Sequence, residues 1–153
     1  MDLYLVQHGE AKSETEDPER SLTERGRREV EQVAAWTARA GLQVAQIRYS
    51  GKRRAEQTAA ILAERLVPPE GMVPVSGLAP NDDVNPVAEA LRAETRPLML
   101  VGHLPFLSRL ASLFLVGNLS PTIIRFRMGG IVCLAREEER WAVAWVITPG
   151  LTA

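Results

Sequence analysis

The chain has two histidines, and both stand in the same kind of place. His8 follows the run Leu3-Tyr4-Leu5-Val6-Gln7, and His103 follows Leu98-Met99-Leu100-Val101-Gly102. Short apolar runs like these read as strands buried on both faces. In open α/β sheets, ligands bind beyond the carboxyl ends of the strands. If these two strands are neighbours, the imidazoles share one crevice. A third segment points to the same edge. A weaker strand from Val44 ends at Ser50, and Gly51-Lys52-Arg53-Arg54 leads from it into a helix. Basic side chains and free amides at a helix start attract an anion, and a guanidinium fork suits phosphate. Taken singly, each histidine is more commonly structural and the basic run more commonly a solvated turn. Their convergence reads as a phosphate pocket.

Other chemistries fit less well. Two histidines without a clustered carboxylate make a poor metal site, so no metal or other cofactor is expected. No glycine-rich phosphate loop is present. Ser50 lacks the Gly-x-Ser-x-Gly setting of a nucleophile elbow. The single cysteine, Cys133, lies in the apolar run Gly130–Ala135 and reads as a small buried hydrophobe rather than a reactive thiol.

The elements that must position these residues alternate along the chain. After the first strand and a polar loop from Lys12 to Arg20, Ser21-Leu22-Thr23-Glu24 offers capping hydroxyls to a helix. That helix carries Val30, Val33, Ala34 and Ala40 on a helical period, Gly26 interrupts it, and Gly41 suits a left-handed cap. A helix from about Arg53 to Leu66 follows the basic run and stops before Pro68-Pro69. Met72 to Val75 reads as a short strand, Gly77 to Asn85 as a loop, and Pro86 to Glu94 as a short helix. The strand Pro97–Gly102 is followed by a helix that Pro105 opens and Gly117 closes. Ile123–Met128, Ile131–Arg136 and Trp141–Ile147 read as strands, the last two joined by the charged turn Glu137–Arg140. The expected fold class is α/β: a three-layer sandwich with a mostly parallel central sheet, helices on both faces and a C-terminal antiparallel hairpin.

Composition narrows the partners. A chain of 153 residues is expected to form one domain, 1–153. With 46% hydrophobic and 24% charged residues and a formal charge of -1, it lacks the basic excess of nucleic-acid or membrane binders. No run approaches the ~20 apolar residues of a membrane span. Met1 leads straight into the first strand without a basic or long apolar leader, so the expected location is the cytoplasm.

Four short motifs, in order, resemble the histidine phosphatase superfamily (phosphoglycerate mutase-like), and within it the SixA-like phosphohistidine phosphatases. Leu5-Val6-Gln7-His8-Gly9-Glu10 matches a strand followed by Arg-His-Gly. Leu22-Thr23-Glu24-Arg25-Gly26 matches a Leu-Thr-x-x-Gly helix start. Ser50 and Arg54-Ala55-Glu56-Gln57-Thr58 match a strand-end serine and Arg-Ala-Glu-Gln-Thr. Gly102-His103-Leu104-Pro105 matches a Gly-His or Ser-His followed by Leu-Pro. The resemblance implies that His8 is a nucleophile forming a phosphohistidine intermediate, that Arg54 and Gly9 bind phosphate, and that His103 donates to the phosphoryl oxygens. It implies phosphohistidine on a protein, of phosphorelay or phosphotransfer type, as substrate, because the chain has no room for the inserted lid of small-molecule members.

The chain departs from the pattern at Gln7, where the motif has arginine. A glutamine amide still donates to phosphate but brings no charge. A charged hydrogen bond contributes ~1.5–3 kcal/mol against ~0.5–1.5 for a neutral one. The loss is then roughly tenfold in rate. It should also leave His8 more basic than in relatives. Lys52 and Arg53 are the cations at hand to compensate. For a general acid the sequence offers Asp82 and Asp83, which read equally as turn and cap residues, and more weakly Glu10. Two other readings stay open: the same chemistry on a small phosphorylated molecule, and a phosphate-recognising module whose turnover is weakened by Gln7.

Overall fold

The computed structural model describes residues 1–153. Eleven elements follow one another: β1 (Asp2–Gln7), α1 (Glu24–Arg39), β2 (Gln46–Tyr49), α2 (Arg53–Leu66), β3 (Met72–Pro74), α3 (Asn85–Arg92), β4 (Leu98–Gly102), α4 (Phe106–Val116), β5 (Ile131–Glu137), β6 (Arg140–Ile147) and α5 (Pro149–Thr152). The strands form one six-stranded sheet in the order β3-β2-β4-β1-β5-β6. The first four strands in that order are parallel, and β5 and β6 add antiparallel to β1 and to each other. The sheet thus has the expected parallel body and terminal hairpin.

Period-2 alternation divides the core into two layers. Tyr4 and Val6 of β1 and Met99 and Val101 of β4 pack with α1 and α2 through Val30, Val33, Ala55, Ala59 and Leu62. Leu3 and Leu5, with Leu98 and Leu100, face α3 and α4 through Leu91, Phe106, Leu107 and Leu110. Both central strands are therefore apolar through Leu3–Val6 and Leu98–Val101, which is why they read as continuous runs.

Three boundaries differ from the sequence reading. Residues 123–128 form no strand, although the residue types allow one. Both edges of β1 are taken by β4 and β5, and β5 is closed by β6, so the segment finds no free ladder beside it. Instead it crosses the end of the sheet, burying only Phe126. The strand read from Val44 begins at Gln46, and the short helix α5, packed against α1, had no signal beyond Pro149.

Gly26 explains itself in this packing. Thr23 caps α1 by accepting a bond from the Gly26 amide at 2.9 Å, and its hydroxyl donates to Glu10 Oε1 at 2.7 Å. The chain following His8 thereby runs so close to α1 that a Cβ on Gly26 would stand 2.8 Å from the Glu10 amide nitrogen and closer still to the Glu10 carbonyl oxygen. Backbone cannot swing aside as a side chain can. Gly26→Ala, which in an open helix would stabilise, should here cost about 1–3 kcal/mol or more by overpacking. Denaturant unfolding of the variant measures it; an unchanged midpoint would refute the close approach.

Candidate active site

The register of β1 and β4 builds the site. Gln7 pairs with Gly102, so His8 and His103 are the next residues on adjacent parallel strands. The ladder runs on by one bond, His8 N to Gly102 O at 3.0 Å. The alternation that turns Val6 and Val101 toward α1 and α2 turns both histidines the same way. Their ring centroids lie 5.0 Å apart with planes inclined at 52°. Both rings are buried, 9% and 2% exposed, so each is a pocket wall and not a surface group.

The hydrogen bonds fix the His8 tautomer. Its Nδ1 lies 2.7 Å from the Gly9 carbonyl oxygen. A carbonyl only accepts, so Nδ1 carries the proton and Nε2 of the neutral ring holds a free lone pair. Gly9 is pinned in turn, its amide donating to Thr58 Oγ1 at 3.0 Å while the Thr58 hydroxyl donates to the Arg54 carbonyl at 2.8 Å. Gln57 Oε1 accepts from the Leu22 amide at 2.7 Å. The run Arg54–Thr58 is thus a clamp joining the first turns of α2 to the segments on either side of the Lys12–Arg20 loop. On β2, Ser50 continues the ladder through its amide to Val101 O at 3.2 Å, and its hydroxyl shares a 2.6 Å hydrogen bond with His103 Nε2. With that hydroxyl as donor, the proton of the neutral His103 ring stands on Nδ1.

Three buried side-chain atoms lack any protein partner: Gln7 Oε1, Arg54 Nε and His103 Nδ1. They belong to three of the residues singled out from the sequence. Arg54 Nε and His103 Nδ1 are donors here and Gln7 Oε1 an acceptor; buried donors left unpaired are costly, so the first two mark a place for a ligand with acceptors. Arg54 Nε and His103 Nδ1–H suit the oxygens of a tetrahedral anion. A half-turn of the Gln7 amide offers an N–H there too. Arg54 enters from the first turn of α2, where Lys52 at the N-cap makes no side-chain cap, leaving the positive helix end open to an anion.

Electrostatics keep both rings neutral. Burial first, then the Arg54 and Arg20 charges, bring His8 down to about 4, against a smaller opposing effect of the Gly9 bond. Burial, then His8, Arg54, Lys52 and Arg20, bring His103 to about 3. The expected rise in His8 basicity from Gln7 is therefore immaterial at neutral pH, because burial, and not a cation at position 7, is the largest cause.

The carboxylates named as general-acid candidates are otherwise engaged. Asp82 Oδ2 accepts from the Ala79 amide at 2.9 Å, and Asp83 Oδ1 from the Asn85 amide at 3.0 Å and side chain at 2.8 Å. The Asn85 bonds hold the Asp83 carboxyl below its usual range. Glu10 is held by Thr23. Nor is Arg53 free to make up the charge missing at position 7: it lies 3.9 Å from both Glu19 and Glu56. The sequence reading overlooked Arg20, whose charge reaches His8, His103 and Arg54. It gave no positional role to Thr58 or Ser50. Ser50 stands at a third strand end, but its bond to His103 depends on β2 lying beside β4.

The sequence matches the family model of the histidine phosphatase superfamily (branch 1) over residues 3–75. An uncharacterized protein of Picosynechococcus sp. (strain PCC 7002) is 36% identical over 125 residues, covering 77% of this chain and 75% of that protein. The fold is similar to that of the protein histidine phosphatase SixA complexed with tungstate, with a TM-score of 0.87, 24% identity and 99% of each chain covered. It is also similar to a phosphoserine phosphatase from Entamoeba histolytica in complex with 3-phosphoglyceric acid, with a TM-score of 0.70, 16% identity and 96% of each chain covered.

Two neutral buried histidines make stability depend on acid. Unfolded histidines take up protons near pH 6.5, while the folded rings resist to about 4 and about 3. The unfolded state then binds more protons between those limits, and stability falls as pH drops from about 6.5 toward 3. The pair should account for a loss on the order of several kcal/mol. Unfolding free energies at pH 7 and pH 4.5 should fall less for the His8→Gln/His103→Gln variant than for the wild type. An equal fall would mean the rings are not buried neutral.

Proposed function

The chain belongs to the histidine phosphatase superfamily, and from that premise we propose that it dephosphorylates phosphohistidine on a protein through nucleophilic attack by His8. The structural likeness to SixA supports the substrate class. His8 Nε2 is the attacking atom, because Nδ1 is committed to Gly9 O. The lone pair forms an Nε2–P bond in line with the departing nitrogen, the substrate P–N bond breaks, and the released imidazole keeps or takes one proton from solvent. Water then attacks the phosphorus, the P–Nε2 bond breaks, inorganic phosphate departs and His8 returns to its neutral form. Arg54, His103 and the Gln7 amide counter charge on the equatorial oxygens, where positioning and electrostatics do most of the catalytic work.

One observation carries the choice of leaving group. The three carboxylates named from the sequence as general-acid candidates, Glu10, Asp82 and Asp83, are bonded to Thr23 or within their own loop. An ester oxygen leaves poorly without a proton. A phosphohistidine nitrogen leaves readily, and its transfer to His8 exchanges one P–N bond for another at little net cost. The second reading, hydrolysis of a small phosphorylated molecule, draws support from the likeness to the phosphoserine phosphatase structure. Rates on a phosphohistidine-bearing protein and on a panel of phosphorylated metabolites separate the two. A metabolite preferred by tenfold or more in kcat/KM would reverse the order.

The mechanism sets two further expectations. His8→Ala should abolish turnover, whereas Gln7→Arg should raise kcat/KM roughly tenfold by adding a charged hydrogen bond. A His8→Ala enzyme with near wild-type turnover would disprove the nucleophile; an inert wild type beside an active Gln7→Arg would favour a phosphate-recognising module. Because guanidinium groups do the charge neutralisation, activity should also survive exhaustive chelation. Loss on chelation and recovery with one divalent ion would contradict it.

A further inference from the structure

Resting on that reading, we infer that Arg20 is a second cation on the phosphoryl group beside Arg54, held there by Asp17 and supplying the charge that Gln7 does not. The Lys12–Arg20 loop is a built device. Asp17 Oδ1 accepts from the Glu19 amide at 3.0 Å, and Oδ2 accepts from the Ser21 amide at 3.0 Å and from the Ser21 hydroxyl. The Arg20 amide donates to the Asp17 carbonyl at 2.9 Å, closing a tight turn. These bonds force Arg20 to φ 51°, a left-handed backbone that arginine rarely adopts. Such strain persists only where the surroundings over-determine it.

The consequence is the direction of one side chain. Arg20 Nε donates back across the loop to Lys12 O at 3.0 Å, so the stem is anchored and only the two terminal nitrogens remain to act. No carboxylate pairs with Arg20, whereas its neighbour Glu19 reaches Arg53 on the first turn of α2 at 3.9 Å. That contact, with the Leu22 amide on Gln57, lays the turn over the start of α2, one residue from Arg54. The field of Arg20 is accordingly felt by His8, His103 and Arg54. Arg54 feels the repulsion of Arg20 more than the opposing attraction of the Glu14 carboxylate, and an anion between the two guanidinium groups relieves that repulsion.

The test exploits the backbone. Arg20→Gly removes the guanidinium while suiting φ 51°, so folding should be kept and thermal unfolding should stay within a few degrees of wild type. Tungstate affinity by calorimetry and kcat/KM should each fall about tenfold, the difference between a charged and a neutral hydrogen bond. Adding Gln7→Arg should restore most of both in the Arg20→Gly background, and raise them more there than in wild type, because the two charges serve one phosphate. Asp17→Asn should weaken tungstate in the Arg20 protein and do nothing further in Arg20→Gly. If Arg20→Gly binds tungstate and turns over as wild type while His8→Ala is inert, this inference fails and the reading of His8 stands. If His8→Ala stays active, the reading itself fails. Equal gains from Gln7→Arg in both backgrounds would overturn the claim that Arg20 stands in for position 7.

Discussion

The parallel pairing of β1 with β4 is the constraint on which the site depends. With Gln7 opposite Gly102, the next residue on each strand is a histidine, and strand alternation sends both rings to the α1/α2 side. A slip of one residue would put one ring on each face. What prevents it is burial. Leu3 and Leu5 must meet the α3/α4 layer while Tyr4 and Val6 meet the α1/α2 layer, and Leu98 to Val101 obey the same alternation. The packing of four side chains on each strand therefore sets the 5.0 Å separation of the imidazoles.

Burial then does a second task. It brings both rings far below the ordinary histidine range, so the nucleophilic form dominates without a proton-accepting partner. The Gly9 carbonyl opposes that lowering in part and gives direction, by holding the proton on Nδ1. On the function we propose, a cation at position 7 would bear on the phosphoryl charge and hardly on the protonation of His8.

The loops after β1 and β2 meet over this pair through small, specific contacts. Thr58 on the Gly9 amide, Gln57 on Leu22 and Thr23 on Glu10 tie the site to α1 and α2. Gly26 lets the backbone at Glu10 lie against α1 without a gap. The motif residues other than His8, His103 and Arg54 are thus mostly positioning residues. Their role is to hold the backbone that carries Gln7, Arg54 and His103, each of which has an unpaired buried atom.

By itself the sequence determined the alternation of elements, the two apolar strands that end in histidine, and the basic start of α2. These are local properties, written in periodicity, caps and breakers. It also carried the motif order by which the family is legible. Tertiary structure decided what depends on neighbours. Only the strand order shows that β1 and β4 are adjacent, turning two separate histidines into a pair. Residues 123–128 have strand composition, but both sides of β1 and of β5 are already paired, and no local pattern reports which edges are occupied. Asp82 and Asp83 could be acids or caps by type, and their bonds to Ala79 and Asn85 come from the loop's path. Arg20 lies in a polar loop with no periodicity. The role we propose for it arises from a turn closed by Asp17 and laid over α2, a long-range placement for which short-range sequence carries no mark.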